Sequence, residues 1–365
     1  MFEQIQASLA TVMAGATELI EQIIITIVCG SHAQLEGAPG VAKWLAVQSI
    51  GCGLGLTVGK LRGSPDLLAE DLVPEQPPAV ATRSEGLQPV PESREGGASA
   101  ASSGSVSRTG VASPLFRNLV LVDGGEWLAP KVHNLLQQAM QEREVLVRGQ
   151  LHPLPNPFSL FAARYPRDDE AVPPTESLMT WHDDRFLFRI AIPFPAYHDE
   201  YALGHMVSSP APAARAAMAD PAQVLAWQEQ VRALSAAPPV IHYAVRLVRA
   251  TRVHEGENPD FIYEWVQRGA GPRAVESLIT AAKGRALIYG RKETVLADVR
   301  SVAYAALRHR IVLNQNARSN GITVERVIRK LLEDTPPRVQ GDDQPPRRGE
   351  ALTFHDWIPL DDETA

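Results

Sequence analysis

The stretch from Leu35 to Ile50, LEGAPGVAKWLAVQSI, is the part of the sequence that most constrains how this chain folds. A short apolar segment leads into a Gly/Pro turn, a single lysine and then residues with helical periodicity. The phosphate-loop pattern G-x-x-x-x-G-K-[ST] is met at Gly37 and Lys43, whereas Ala42 replaces the second glycine and Trp44 replaces the Ser or Thr that holds Mg²⁺. The stretch therefore predicts a strand, a phosphate-binding loop and a helix, with a damaged metal position.

Length and composition indicate a globular protein with an irregular portion. The chain has 365 residues, more than the roughly 250 to 300 at which single cores stop growing, so two domains are predicted. Its 29 prolines and its Ser/Gly/Ala clusters indicate that part of the chain is linker. The 42 acidic and 35 basic residues give a net charge of −7, which creates no overall field that favours nucleic acid or an anionic membrane. We therefore predict no nucleic-acid partner.

The N-terminal segment and the cysteines favour a soluble, cytoplasmic protein. Residues 1–10 carry Glu3 and no basic stretch before their apolar residues, unlike a secretory signal. The longest apolar run, Ile23–Val28, is far shorter than the about 20 residues that span a bilayer, so no membrane span is predicted. Cys29 and Cys52 are too few for a disulfide framework and match no metal-ligand spacing, which favours buried free thiols in a reducing compartment.

Strand and helix patterns alternate in the first half of the chain. Apolar runs such as NLVLVD at 118–123 are typical of strands buried on both faces, and parallel neighbours of this kind need helical crossovers. The predicted fold class is therefore a three-layer α/β domain with a parallel sheet. Strands are predicted at 33–36, 56–62, 118–123, 158–163 and 186–192, helices at 2–28 with a break at Gly15, at 43–51 and at 130–143, and a hairpin at 144–154.

The second half has helical periodicity throughout. Helices are predicted at 221–234, 240–251, 272–289, 292–310 and 323–332. We therefore divide the chain into a nucleotide-binding domain at 1–207, a small-residue linker at 208–220, an all-α domain at 221–335 and a flexible acidic tail at 336–365. Within the first domain, 74–113 is a low-complexity insert, and its 77–109 portion has too few apolar residues to offset the entropy of ordering.

Seven sequence blocks occur in a fixed order along the chain. They are HAQLEGAPGVAK, PDLLAEDL, PLFRNLVLVD, LLQQAMQEREVLVRGQLHPLPNPF, DRFLFRI, GPRAVESLI and ALRHRIVL. In this order and spacing the blocks resemble the MoxR family of AAA+ ATPases from about Gly15 to Pro336, apart from the low-complexity insert. The resemblance implies a P-loop NTPase α/β domain followed by a helical lid. It also implies a homo- or hetero-oligomeric ring with ATP or ADP between subunits, a chaperone-like role and a partner with a von Willebrand factor A domain.

The resemblance assigns nucleotide binding to the loop and to one arginine of the lid. Lys43 stands where the family's lysine reaches the β and γ phosphates, which the loop's backbone amides cradle. Arg273, in GPRAVESLI, resembles the lid's sensor 2 arginine. Trp44 offers Mg²⁺ no oxygen, so metal binding is predicted to be weak or absent, and its indole either crowds the phosphate pocket or packs in the core. The predicted nucleotide-binding residues are Gly37, Ala38, Pro39, Gly40, Val41, Ala42, Lys43, Trp44 and Arg273.

The positions that would activate water depart from the family pattern. Asp123 ends a strand where the family has an aspartate for the metal and its water, so it is the predicted metal ligand. The family places a glutamate next as general base, but Gly124 follows here, and the loss of such a base costs 10²- to 10⁴-fold in rate. Glu126 lies two residues late and is the candidate substitute. Tyr165 stands where the family has the sensor 1 asparagine.

One further arginine resembles a catalytic group of the family. Arg185, in DRFLFRI, resembles the arginine finger offered to the neighbouring subunit's nucleotide, and the alternative is a structural ion-pair residue. Thr180, Trp181 and His182 replace the family's preceding Glu-Ala-Gln stretch. The predicted catalytic residues are therefore Arg185 and Glu126.

Three hypotheses follow from these replacements. The favoured one is a MoxR-type protein that binds nucleotide through Lys43, hydrolyses it poorly or not at all, and serves as a structural or regulatory subunit. The second is an active ATPase and remodelling chaperone in which Glu126 acts as a displaced base. The third is an interaction scaffold that binds no nucleotide because Trp44 fills the pocket.

Overall fold

A computed structural model gives the fold of residues 16–41, 43–73, 113–165, 183–198, 200–201, 217–253 and 258–335. Several predictions fall outside these described residues. They are the first half of the helical segment at 2–28, Ala42, the insert at 77–109, the replacements at 180–182, most of the linker at 208–220 and the tail at 336–365.

The described residues contain a five-stranded parallel sheet, which confirms the predicted α/β class. The strands are β1 (Ala33–Gly37), β2 (Val58–Arg62), β3 (Leu119–Asp123), β6 (Ser159–Arg164) and β7 (Phe188–Ile192). Their order across the sheet is β2-β3-β6-β1-β7. Residues 119–122 of β3 are buried on both faces because the sheet is covered on each side.

Helices cover both faces of the sheet. On one face, α1 (Thr17–Val28) and α2 (Lys43–Gly53) pack against alternate strand residues such as Leu35 and Leu121. On the other face, α3 (Pro130–Glu142) packs against Val120 and Val122. The consecutive residues of β3 thus point into two different cores, as the alternation of a strand requires.

The predicted hairpin is present after α3. It consists of β4 (Glu144–Val147) and β5 (Gln150–Pro153), which pair antiparallel. The two turn residues, Arg148 and Gly149, have φ angles of 52° and 77°, so both lie in the left-handed region that two-residue hairpin turns favour.

The second half is helical, as predicted, and it also contains a short ribbon and two short helices that were not predicted. A two-stranded antiparallel ribbon joins β8 (Val266–Arg268) to β9 (Val312–Leu313), where helical periodicity had predicted no strand. Short helices α6 (Asp260–Trp265) and α9 (Gln315–Ser319) were also not predicted, because one or two turns show no clear period. The remaining helices are α4 (Pro221–Ala233), α5 (Pro238–Arg249), α7 (Arg273–Ile288), α8 (Leu296–Leu307) and α10 (Val324–Asp334).

One apolar core joins the helical half to the sheet. Buried residues of α1 and β1 belong to the same cluster as Leu278 of α7, Val302 of α8 and Leu331 of α10. The two cysteines are free, but Cys52 is exposed and Cys29 is half-buried, so the prediction of two buried thiols is wrong for Cys52. None of the helices in the described part of the chain is both long and apolar enough to cross a membrane.

Candidate functional site

The phosphate-binding loop leaves the carboxyl end of β1, next to the centre of the sheet. A side chain at Gly37 would meet the carbonyl oxygen of Ile192 at 2.6 Å, so only glycine fits where the loop passes β7. Gly40 has a φ of 89°, which also favours glycine. The loop ends at the N-terminus of α2, where free backbone amides and the helix dipole favour a phosphate. Ala42 lies outside the described residues.

Lys43 is buried within this loop. Its ammonium donates to the carbonyl oxygens of Gly37 at 2.6 Å and Ala38 at 3.0 Å, and it lies 4.1 Å from the ring centre of Tyr165. Burial lowers the pKa of Lys43, and the carboxylates of Asp123 and Glu36 oppose this shift only in part. The lysine therefore bonds to the backbone of its own loop.

Asp123 is engaged on both carboxylate oxygens. The Tyr165 hydroxyl donates to Oδ1 at 2.6 Å, and the Lys60 ammonium of β2 lies 2.9 Å from Oδ2. Burial acts to raise the pKa of Asp123, but these two partners outweigh it and hold the pKa below its ordinary value. The bond to Asp123, with burial, raises the pKa of Tyr165 to about 12, so the phenol stays protonated and keeps donating.

These contacts do not fit a magnesium site. A metal or its water would have to displace Tyr165 or Lys60 from Asp123. Trp44 supplies no oxygen ligand, and its indole is partly buried against the core that α2 shares with the sheet. This packing matches the second of the two orientations left open for Trp44, the one in which the indole packs in the core. Among the described residues there is also no group of three or more His, Cys, Asp or Glu side chains arranged for a metal.

The position after Asp123 is built for glycine. Gly124 has φ 77° and ψ 35°, a left-handed conformation that side chains disfavour, and the nearest atom to a side chain added there is Trp127 Cδ1 at 3.4 Å, an ordinary contact. Glu126, the candidate substitute base, lies exposed in a single 3₁₀ turn at Gly125–Trp127. Its charge adds to the effects that raise the pKa of Tyr165, which places it within electrostatic range of that phenol.

The two predicted arginines lie together, away from the phosphate loop. Arg185 and Arg273 line a cavity of about 210 Å³ with His32 and with residues of α3 and α7. His32 precedes β1 and Arg185 precedes β7, so this cavity lies at the amino edge of the parallel sheet, whereas the phosphate loop is at the carboxyl edge. Within one chain, therefore, the structure does not bring Arg273 to the loop.

Arg185 of this cavity is hydrogen-bonded to a neighbouring helix. Gln137 of α3, with its amide oxygen facing the guanidinium, accepts hydrogen bonds from Arg185. Burial, together with the charge of Arg273, lowers the pKa of Arg185. Arg164, the last residue of β6, forms an ion pair with Asp183 at 3.0 Å and does not face the loop.

Lys60 is the site residue that the sequence analysis missed. It occupies the middle of the strand VGKLR and pairs in register with Leu121, which places its side chain on the same face as Asp123. The sequence shows a lysine in the middle of a predicted strand. Only the strand order shows that this strand, β2, lies next to β3, which ends in Asp123.

Sequence and structure comparisons agree with this geometry. Residues 98–188 match the model of the ATPase family associated with various cellular activities (AAA), and residues 264–331 match the AAA lid domain. The chain is 30% identical to Chaperone MoxR1 of Mycobacterium tuberculosis over 88% of this chain and 78% of that protein. It is 27% identical to Protein MoxR of Methylorubrum extorquens over 84% and 86% of the two chains.

A solved structure shares the architecture. A crystal structure described as that of an ATPase from Cytophaga hutchinsonii superposes with a TM-score of 0.72 at 25% identity, over 91% of this chain and 93% of the other. The fold, the phosphate loop at the carboxyl edge of β1, the lid match and the relatives all lead to one assignment. The chain belongs to the MoxR family of AAA+ ATPases.

Proposed function

We propose that this chain binds ATP or ADP, hydrolyses ATP poorly or not at all, and serves as a structural or regulatory subunit of a chaperone-like assembly. The observation that carries the proposal is the double occupation of Asp123. Tyr165 and Lys60 hold the two oxygens that a hydrolytic site would use to place a metal and its water.

The general base is the second point in favour of weak hydrolysis. Gly124 supplies no carboxylate, and its left-handed backbone disfavours any other residue. Glu126 is exposed, and it lies two residues after the position of the family's base. A missing base alone lowers a rate by about 10²- to 10⁴-fold.

Nucleotide binding is supported by the groups that persist. Lys43, the glycines at 37 and 40 and the N-terminus of α2 form a phosphate cradle. Trp44 packs against the core, which argues against an indole that fills the pocket and so against the pure scaffold. The active ATPase remains the second candidate, because Glu126 lies within electrostatic range of Tyr165.

The position of the arginines supports assembly into a ring. Arg185 and Arg273 lie at the opposite edge of the sheet from their own loop, so in a ring they would reach the nucleotide of a neighbouring subunit. Ring formation, a homomeric or heteromeric composition, a von Willebrand factor A partner and a cytoplasmic location are parts of this proposal.

Two measurements on the full chain test the proposal. One is steady-state ATP hydrolysis at saturating Mg-ATP, and the other is titration with a fluorescent ATP analogue. We expect turnover near background together with saturable binding. Lys43→Ala should weaken binding at least about tenfold, because it removes a charge-assisted contact to phosphate. Lys292→Ala, at an exposed lid position, is the matched control and should bind as the wild type does.

The outcomes separate the three hypotheses. Turnover near 1 s⁻¹, an ordinary enzyme rate, would establish the active ATPase and contradict the proposal. Binding too weak to detect in a folded protein would favour the scaffold. Because Lys43 is buried, thermal melts of Lys43→Ala must first show that the variant is folded.

A further inference from the structure

Four side chains form a row along the carboxyl edge of the sheet. Lys43 follows β1, Tyr165 follows β6, Asp123 ends β3 and Lys60 projects from β2, in the same order as the strands. Each member contacts the next: Lys43 lies over the Tyr165 ring, Tyr165 donates to Asp123, and Asp123 pairs with Lys60. The row fills the region where the fold would otherwise hold a metal.

An unpaired carboxylate in this row would oppose phosphate binding. A nucleoside triphosphate brings several negative charges to the loop, and Asp123 would repel them unless a cation lay between. The Asp123 and Lys60 side chains are only 25% and 28% exposed, so solvent screens this charge incompletely. Lys60 supplies a positive charge at 2.9 Å from the carboxylate, and it comes from the chain itself.

We infer that this site binds a nucleoside phosphate without a divalent cation, and that Lys60 takes the metal's part by neutralising Asp123. In the sheet, β2 lies beyond β3 and β6 as seen from β1, so Asp123 stands between Lys60 and the loop. Lys60 therefore acts on the nucleotide through Asp123, as a positioning and charge-compensating residue. The inference rests on the proposed nucleotide binding.

The first test compares affinities with and without metal. A fluorescent ATP analogue is titrated into the full chain in excess MgCl₂ and, separately, in excess EDTA. We expect the two dissociation constants to differ by no more than about twofold, because no metal ligand is available to Mg²⁺. Binding that requires Mg²⁺ would overturn this inference and leave the proposed function standing. Absence of binding in both buffers would overturn both.

The second test removes the two charges, first one at a time and then together, and measures binding in EDTA. Lys60→Gln leaves Asp123 unneutralised and should weaken binding about threefold to tenfold. Asp123→Asn removes the repelling charge and should bind as tightly as the wild type or more tightly. The double variant Lys60→Gln/Asp123→Asn should return to within about twofold of the wild type, because both charges are gone.

The double variant separates charge compensation from a structural role. If Lys60→Gln weakened binding by disturbing the fold, adding Asp123→Asn would not restore affinity. Failure of that restoration would overturn the role assigned to Lys60. Lys292→Gln removes the same charge at an exposed lid position and should leave the affinity for the fluorescent ATP analogue unchanged.

Discussion

Gly124 follows Asp123 with φ 77° and ψ 35°, a region in which a side chain crowds its own backbone. Gly124→Ala is therefore expected to lower the free energy of unfolding by about 1 kcal/mol or more. Gly271→Ala is the control, since Gly271 is not among the glycines with positive φ and a side chain there meets no atom within 4 Å. Urea denaturation of both variants measures the difference, and equal stabilities would contradict the strained assignment.

Single residues differ in how far the sequence alone could place them. Lys43 and Asp123 were assigned to the nucleotide site through the family resemblance, and they lie at one edge of the sheet because parallel strands end at a common edge. Lys60 could not be placed there, because its contact depends on which strands are neighbours. Arg273 lies far from its own loop because the lid's packing, which no local pattern encodes, sets the position of α7.

At the scale of elements, His32 ties three of them together. The Leu160 amide of β6 donates to Nδ1 at 2.9 Å, so Nε2 carries the proton and donates to the Met140 carbonyl of α3 at 3.0 Å. This arrangement requires a neutral ring immediately before β1. Burial, aided by the charge of Arg143, lowers the pKa of His32 to about 4.

His32 should therefore make stability depend on acidity. The unfolded chain binds a proton near pH 6.5 and the folded chain near pH 4, so the contribution is complete above pH 6.5 and is lost as pH falls toward 4. The stability difference between wild type and His32→Gln should shrink by about 3 kcal/mol over this interval. Urea denaturation at several pH values measures it.

An exposed histidine provides the comparison for this effect. His198→Gln, after β7, should change stability little, because His198 is exposed. A His32→Gln difference that stays constant from pH 7 to pH 4 would contradict the neutral, buried ring.

Element boundaries were predicted well where burial is periodic. The strand predicted at 158–163 is observed at Ser159–Arg164, and the helix predicted at 130–143 is observed at Pro130–Glu142. The helix predicted at 292–310 starts late, at Leu296, because residues 290–295 form a turn after α7. The β8–β9 ribbon was missed because its strands are two or three residues long and pair across a long separation.

At the scale of the whole molecule, the shared core predicts cooperative behaviour of the sheet and the helical half. Leu35 and Phe188 of the sheet belong to the same buried cluster as Leu278 and Leu331 of the lid. Arg310 adds a polar link, because this buried side chain donates to Asp184 Oδ1 at 2.7 Å and to the carbonyl oxygen of Phe186 at 2.9 Å, just before β7.

We expect one unfolding transition for both halves. Cys52, exposed at the end of α2, is a native labelling site in the first half, whereas burial raises the pKa of the Cys29 thiol to about 12 and leaves it unreactive. A fluorophore on Cys52 is compared with one on Lys292→Cys in a Cys52→Ser background, which reports the lid. Since one core cannot be lost in part without exposing the rest, the two urea midpoints should coincide.

Arg310→Met extends this prediction. It removes the donor that bonds Asp184 Oδ1 and the carbonyl oxygens of Asp184 and Phe186, so it should lower both midpoints together, by about 1 to 3 kcal/mol in unfolding free energy. Arg329→Met, at an exposed position of α10, should leave both unchanged. If the fluorophore in the lid reported a lower urea midpoint than the one on Cys52, in the wild type or in Arg310→Met, the helical half would be an independent unit. The cavity lined by Arg185 and Arg273 would then change shape while the phosphate loop stayed folded.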